Sequence, residues 1–517
     1  MKILTAILAV AAALASGGAM ALSGAGNPWE TIDEAVCASL IAQDFSVAVG
    51  AKTTISKSSR VVANERGPSA CMVEATIAPS IGVEIRLPTT GWNQRFLFTG
   101  CGGLCGNINS AAGDDAFDRG YAIATTDMGH RSAADDRSWT SDAKLVEDYR
   151  HRASHLTVVL AKAVVAAYYG KGPAVSYSRG CSTGGRQGLT SALMYPDDFD
   201  GVIAGAPAAN YATPHNAWSY LSNLNAAGAS VLDVKAIELL RDAVLSSCDN
   251  DDGVADGVVG DPPACRFDPR ELQCRPGQEA GCLTSSQLGA ALRMYDGAKD
   301  ASGKPYYAMG YARGSEAGWI RSMIGVDGKP PGRAGSAAFF LESVVGKGAR
   351  AADFDFARHG ASGGPLSARL DQGENKTRLA AFADRGGKLL MYHGWSDVDV
   401  TPAVSLDFRR DAIAGLGQDK VDDFLRLFFM PGVAHCRGGP GADSVDFLTA
   451  LEHWVEKGSA PTSLVAAKTS QPGRNYAAFP LKPDTVVFSR TLFPYPAASV
   501  FAGKGDSRDA SAWVPGR

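Results

Sequence analysis

The run Tyr177-Ser178-Arg179-Gly180-Cys181-Ser182-Thr183-Gly184-Gly185-Arg186-Gln187-Gly188 constrains this chain more than any other. It contains Gly-x-Ser-x-Gly, with a short β-prone stretch, Ala174-Val175-Ser176-Tyr177, before it. A helix-compatible segment over 186–195 follows and is stopped by Pro196. A strand that turns sharply into a helix needs glycines beside the turn residue, because a Cβ there collides with its surroundings. Such a turn lifts the Ser182 hydroxyl clear of the backbone. It also sets the N–H of Thr183 at a helix N-terminus, where developing negative charge is favoured. A glycine-rich turn with an incidental serine has the same five-residue pattern, so the surrounding chain has to decide.

That chain alternates strands and helices. Val83-Glu84-Ile85-Arg86-Leu87 reads as a half-buried strand, Arg95-Phe96-Leu97-Phe98-Thr99 as a buried one, and Tyr121-Ala122-Ile123-Ala124-Thr125-Thr126 as the next. Residues 155–169 carry alanine and valine at helical spacing, and Gly201-Val202-Ile203-Ala204-Gly205-Ala206-Pro207 adds a strand after the serine. The alternation predicts an α/β fold with a mainly parallel sheet wrapped by helices. From about residue 211 to about 372 it lapses into a loop-rich region, then resumes at Lys388-Leu389-Leu390-Met391-Tyr392-His393. The expected organisation is a signal peptide over 1–21, a core in two parts over 22–210 and 374–517, and an inserted lid domain over 211–373.

A net charge of −4 gives no basic field for nucleic acid, and 45% hydrophobic with 20% charged residues describes an ordinary globular chain. At the N-terminus Met1-Lys2 precedes an apolar run over 3–15 and an Ala19-Met20-Ala21 end, the form of a cleaved secretory signal. No other stretch is long and apolar enough to span a membrane. The expected location is secreted or periplasmic, and there ten cysteines point to disulfides rather than zinc. Proximity suggests Cys101–Cys105, Cys248–Cys265 and Cys274–Cys282, leaving Cys37, Cys71, Cys181 and Cys436.

A nucleophilic serine needs a base and an acid. Asp397 follows the strand that ends in His393, and His435 lies in the loop after Phe428-Phe429-Met430, so the order is serine, acid, histidine at the ends of successive strands. Asp399, two residues on, is the alternative acid. Among the other histidines, His130 and His393 also follow strands but fall in the wrong order. His151, His155 and His453 belong on or beside helices, and His215 and His359 belong to the insertion. The strand over 95–99 runs into Gly100-Cys101-Gly102-Gly103, similar to the glycine loop that supplies an oxyanion N–H in α/β-hydrolases. A dinucleotide fingerprint is not completed, because Cys105 stands where its last glycine belongs. Cys181 precedes the serine and Cys436 follows the histidine; if they pair, one bond ties the nucleophile's turn to the base's loop, and if not they are two unrelated cysteines.

In the insertion, Cys248-Asp249-Asn250-Asp251-Asp252-Gly253-Val254-Ala255-Asp256-Gly257-Val258 crowds carboxylates that either form a solvated turn or wrap a hard cation. An EF-hand is excluded, since its twelfth position needs glutamate and Gly260 is there.

Taken together, Gly-Cys-Ser-Thr-Gly-Gly-Arg-Gln-Gly, Tyr195-Pro196-Asp197-Asp198-Phe199-Asp200-Gly201 and Ala204-Gly205-Ala206-Pro207-Ala208 resemble the tannase and feruloyl esterase family, which includes mono(2-hydroxyethyl) terephthalate hydrolases. The resemblance implies an α/β-hydrolase fold with a lid, a Ser182, Asp397, His435 triad, and an oxyanion hole from the N–H groups of Thr183 and Gly102 or Gly103. It implies structural Ca2+ on Asp249, Asp252, Asp256 and the carbonyls of Val254 and Val258, with no organic cofactor. It also implies the Cys181–Cys436 bridge. The full expected set of bridges is then Cys37–Cys71, Cys101–Cys105, Cys181–Cys436, Cys248–Cys265 and Cys274–Cys282. Trp319, after Gly314-Ser315-Glu316, becomes either a substrate wall or an ordinary core residue of the lid. Two features depart from the family: Phe493 stands where a cysteine is usual, and Cys101 and Cys105 bracket the oxyanion glycines.

The expected activity is hydrolysis of a small aromatic-acid ester, with a feruloyl, galloyl or terephthaloyl acyl group. A lid arginine (Arg313, Arg321 or Arg333) that pairs a substrate carboxylate would favour the last. A catalytically inactive binding protein on the same fold is the alternative of another class.

Overall fold

The computed structural model describes residues 34–516 apart from 64–67, 134–135, 210–217, 226, 300–301, 306, 327–328, 356–378, 471–478 and 480. The expected signal peptide, His215, His359 and both expected borders of the insertion lie outside the described residues.

Nine strands form the central sheet: β1 (Thr53–Val61), β2 (Ala70–Ile77), β3 (Ile81–Pro88), β4 (Arg95–Thr99), β5 (Ala122–Thr126), β6 (Val175–Cys181), β7 (Gly201–Gly205), β8 (Lys388–Gly394) and β9 (Leu425–Met430). Their order is β1-β2-β3-β5-β4-β6-β7-β8-β9. β1, β2, β3 and β5 pair antiparallel in turn, and from β5 across to β9 every pairing is parallel.

The period of two explains how so short a strand as β4 serves both faces. Phe96 and Phe98 join the core under the helix Ala153–Tyr169, whereas Leu97 joins the opposite core with Tyr177, Ile203, Leu390 and the helix Phe447–Lys457. Strands buried on both faces read as continuous apolar runs, which is why β4, β5, β7 and β8 were legible in sequence.

β7 and β8 are neighbours in the sheet although the whole loop-rich region separates them in sequence. The intervening segment packs around its own apolar cluster, built on the helices Val234–Cys248 and Ser285–Asp296 with Trp319 and Met323. Val398, just after Asp397, joins that cluster, so the insertion rests on the loop that carries the acid.

Some local details differ from the expectations. The helix after the serine begins at Thr183 rather than Arg186, because Gly184 and Gly185 are helical despite their poor propensity. A three-stranded antiparallel sheet, Ser444–Val445, Leu464–Thr469 and Val486–Leu492, follows the last core strand and was not anticipated. Its first member is only two residues long, too short to leave a periodic signal.

Candidate active site

Ser182 sits between β6 and its helix at φ 62°, ψ −124°, a conformation that side chains with a Cβ rarely adopt. The turn is held from three sides: Ser182 N–H donates to the Gly205 carbonyl at 3.0 Å, and the Ser182 carbonyl accepts from Arg186 and Ala208 at 3.0 and 2.9 Å. The glycines are required by contact. A Cβ on Gly180 would lie 2.4 Å from the Gly184 carbonyl carbon, and one on Gly185 would lie 2.3 Å from the Gly205 oxygen.

His435 Nδ1 lies 2.7 Å from Asp397 Oδ2. That pairing puts the proton on Nδ1 and leaves Nε2 as the basic nitrogen. Asp397 is fully buried, and its other oxygen accepts the N–H groups of Asp399 and Val400, each at 2.8 Å. Burial penalises its charge, but His435 and His393 outweigh that penalty and hold the carboxyl at about 2. Asp397, and not Asp399, therefore meets the histidine. Because the chain turns back over Asp397, Asp399 points elsewhere, to Arg333 and to Arg321 at 3.2 Å.

Ser182 and His435 both line a cavity of about 390 Å3, together with residues 100–103, Tyr392, Arg437, Asp443 and Phe447. The Cys181–Cys436 disulfide, with a Cα–Cα distance of 5.9 Å, joins the residues next to the serine and the histidine. The other four expected bridges are also formed, and no cysteine is free.

The glycine loop is gripped tightly. Thr183 Oγ1 donates to the Gly103 carbonyl at 2.6 Å, Tyr149 O–H donates to the same carbonyl at 3.2 Å, and Gln187 Oε1 accepts the Cys101 N–H at 3.2 Å. His130 Nε2 reaches the Leu104 carbonyl at 2.9 Å while its ring stacks on Trp139. Among the described residues, the N–H groups of Gly102 and Gly103 make no hydrogen bond within the protein.

His393 shares the acid: it is fully buried, with Nε2 3.3 Å from Asp397 Oδ2 and 2.8 Å from the Val400 carbonyl, and Nδ1 2.8 Å from Ser405 Oγ. His155 pairs with Asp198 and stacks on Tyr195, whose hydroxyl meets His151. Of the two readings of Trp319 the structure matches the core one: it is fully buried against Tyr295 and Tyr311, donates to Ser315 Oγ, and is not among the residues lining the Ser182 cavity. The three arginines of the intervening segment do not line it either. Arg321 and Arg333 meet Asp399, and Arg313 donates to the Phe267 carbonyl.

Gln187 and Arg437 were missed as site residues. Gln187 lies one helical turn beyond Thr183, and Arg437 adjoins Cys436; those positions were the available signals.

In the acidic loop Asp249 accepts the N–H groups of Asp256, Gly257 and Val258, while Asp252 and Asp256 both meet Arg490. Burial first, then the neighbouring carboxylates, raise Asp252 to about 6 against the pull of Arg490. Among the described residues, no group of three or more His, Cys, Asp or Glu side chains closes to metal-binding geometry. The donors are nevertheless all hard oxygens, and the carbonyls of Val254 and Val258 accept no backbone hydrogen bond among the described residues.

A doubly covered, largely parallel sheet with a serine on a strained strand-to-helix turn, an acid after β8 and a histidine after β9 defines an α/β-hydrolase. The chain belongs to the tannase and feruloyl esterase family, whose model matches residues 59–514, and is a carboxylic-ester hydrolase. It is 31% identical over 474 residues to a probable feruloyl esterase of Arthroderma benhamiae, covering 86% of this chain and 85% of that one. It is 30% identical over 523 residues to the mono(2-hydroxyethyl) terephthalate hydrolase of Piscinibacter sakaiensis, covering 85% and 83%. The crystal structure of feruloyl esterase B from Aspergillus oryzae superposes with a TM-score of 0.77 at 26% identity, covering 93% of this chain and all of that one.

Proposed function

We propose that this aromatic-ester hydrolase works through an acyl-enzyme on Ser182, and that its acyl group is of the feruloyl or galloyl type. The observation that carries the reading is the cavity itself, which Ser182 and His435 line together while His435 is held by the ionised Asp397. Ser182 Oγ attacks the ester carbonyl carbon as His435 Nε2 takes its proton. The tetrahedral oxyanion is received by the N–H groups of Thr183 and Gly102 or Gly103. The alcohol leaves with the proton from His435, water repeats the attack on the acyl-enzyme, and the aromatic acid departs. The unpaired N–H groups of the gripped glycine loop support that oxyanion role.

The terephthaloyl reading keeps one specific support: Arg437 lines the cavity beside His435, where a guanidinium can read a substrate carboxylate. Rates on methyl ferulate, methyl gallate and mono(2-hydroxyethyl) terephthalate, with Ser182→Ala as blank, test the choice. Fastest turnover of the terephthalate monoester, lost in Arg437→Gln, would replace the feruloyl reading.

The insertion is proposed as a lid, since it packs on the acid's loop through Val398. Calcium is proposed as its structural ion, held by Asp249, Asp252, Asp256 and the carbonyls of Val254 and Val258; the excess of crowded negative charge and the oxygen-only donor set support it. Export is proposed from the leader-like N-terminus and five disulfides. Among the described residues no helix is long and apolar enough to cross a membrane.

A further inference from the structure

Arg313 came out of the sequence as a candidate for a substrate carboxylate, and the structure turns it toward a different cavity. That cavity, of about 580 Å3, lies between the insertion and the core helix Ala403–Leu416, and it shares no lining residue with the Ser182 cavity. The helix contributes Leu406, Arg409, Arg410 and Ile413, whose spacing places them on one face.

Its walls combine aromatic rings with guanidinium groups. Tyr295 and Tyr311 come from the insertion, and Tyr495 comes from the core, where it stands edge-on to Phe429. Of the three lining arginines, Arg410 is committed to Asp407 and Asp411 at 2.5 and 3.1 Å, and Arg409 to Asp422 at 3.2 Å. Arg313 differs. It is fixed by one bond, Nε–H to the Phe267 carbonyl at 2.8 Å, and lies 4.9 Å over the Tyr295 ring. Among the described residues its terminal nitrogens have no hydrogen bond and no ion pair within 4.0 Å, although the Glu316 and Asp268 carboxylates act on it from farther off.

A part-buried guanidinium whose orientation is preset by one bond and one ring, with its fork unspent, is suited to bidentate pairing with a planar anion. The tyrosine rings beside it favour an aromatic body, and the volume falls within the range of small-molecule sites. We propose that this second cavity binds a small aromatic carboxylate, with the carboxylate on Arg313 and the ring among Tyr295, Tyr311 and Tyr495. The proposal rests on the cavity's own residues and stands or falls apart from the acyl-enzyme reading. The acid released at Ser182 and an aromatic acid made elsewhere share this chemistry.

Titration calorimetry of the full chain with benzoate, ferulate and the uncharged benzamide tests it. Arg313→Gln removes the charge, and Ile413→Trp fills the cavity from the opposite wall without touching Arg313. Melting temperatures show whether each variant is folded. Arg313→Gln is expected to weaken one benzoate site roughly tenfold or more, Ile413→Trp to abolish that site, and benzamide to bind it at least roughly tenfold more weakly than benzoate. Ferulate binding tighter than benzoate would assign the site to released product, and equal affinity would assign it to aromatic acids in general. Benzoate binding unaltered by a folded Ile413→Trp, or benzamide matching benzoate, or no saturable binding of either acid, would overturn the proposal.

Discussion

Ser182 and Asp397 make separable demands on a test. Ser182→Ala is expected to lower kcat by about 10⁴-fold or more with the fold intact, and steady-state kinetics beside circular dichroism check both halves. Asp397→Asn is expected to cost about 10⁴-fold in kcat, because the imidazole loses the partner that fixes its tautomer. Asp397 also carries a pH signature. Its folded carboxyl is held at about 2, below the ordinary value of about 3.9, so ionised Asp397 stabilises the native state throughout the range above about pH 4. That contribution is lost as acid takes the pH down from about 4 through about 2. The gap in melting temperature between wild type and Asp397→Asn should therefore close as the pH falls below about 4. A gap that persists unchanged at pH 2.5 would contradict this account.

At the scale of elements, the two bridges at the site differ in what they constrain. Cys181–Cys436 spans 255 residues and is worth up to ~5 kcal/mol in the chain-entropy model, whereas Cys101–Cys105 spans four and constrains little of the unfolded chain. The short bridge shapes the loop that Gln187, Thr183 and Tyr149 also hold. Replacing Cys101 and Cys105 together with alanine should lower kcat about tenfold while KM and melting temperature move little; a matched fall in stability would make the bridge merely structural. The strands of the core and the elbow were legible because backbone sterics and double-sided burial write themselves locally, in glycines and apolar runs. Gln187, Arg437 and the exclusion of Trp319 were not. Each depends on which distant segment faces the side chain, and an arginine such as Arg313 has the same local sequence whether it meets the catalytic cavity or another one.

Across the whole molecule, the insertion and core are coupled at the acid's loop and at Arg490, which crosses from the C-terminal sheet to Asp252 and Asp256. If calcium completes that loop, chelation should lower the melting temperature by about 3 °C or more and added Ca2+ should restore it, read by scanning calorimetry. No shift on chelation would leave Arg490 as the loop's sufficient counter-charge. The bridge beside the serine also sets an order of events in time. Four of the five disulfides join cysteines that are consecutive in the chain, while Cys181 waits for Cys436 past both Cys248–Cys265 and Cys274–Cys282. At synthesis rates of about 5–20 residues per second, its partner emerges tens of seconds later. During that interval Cys181 is an available thiol with nearer cysteines on either side. Maturation of this enzyme is thus a sorting problem, in which the last correct pairing to form is the one that brings nucleophile and base together.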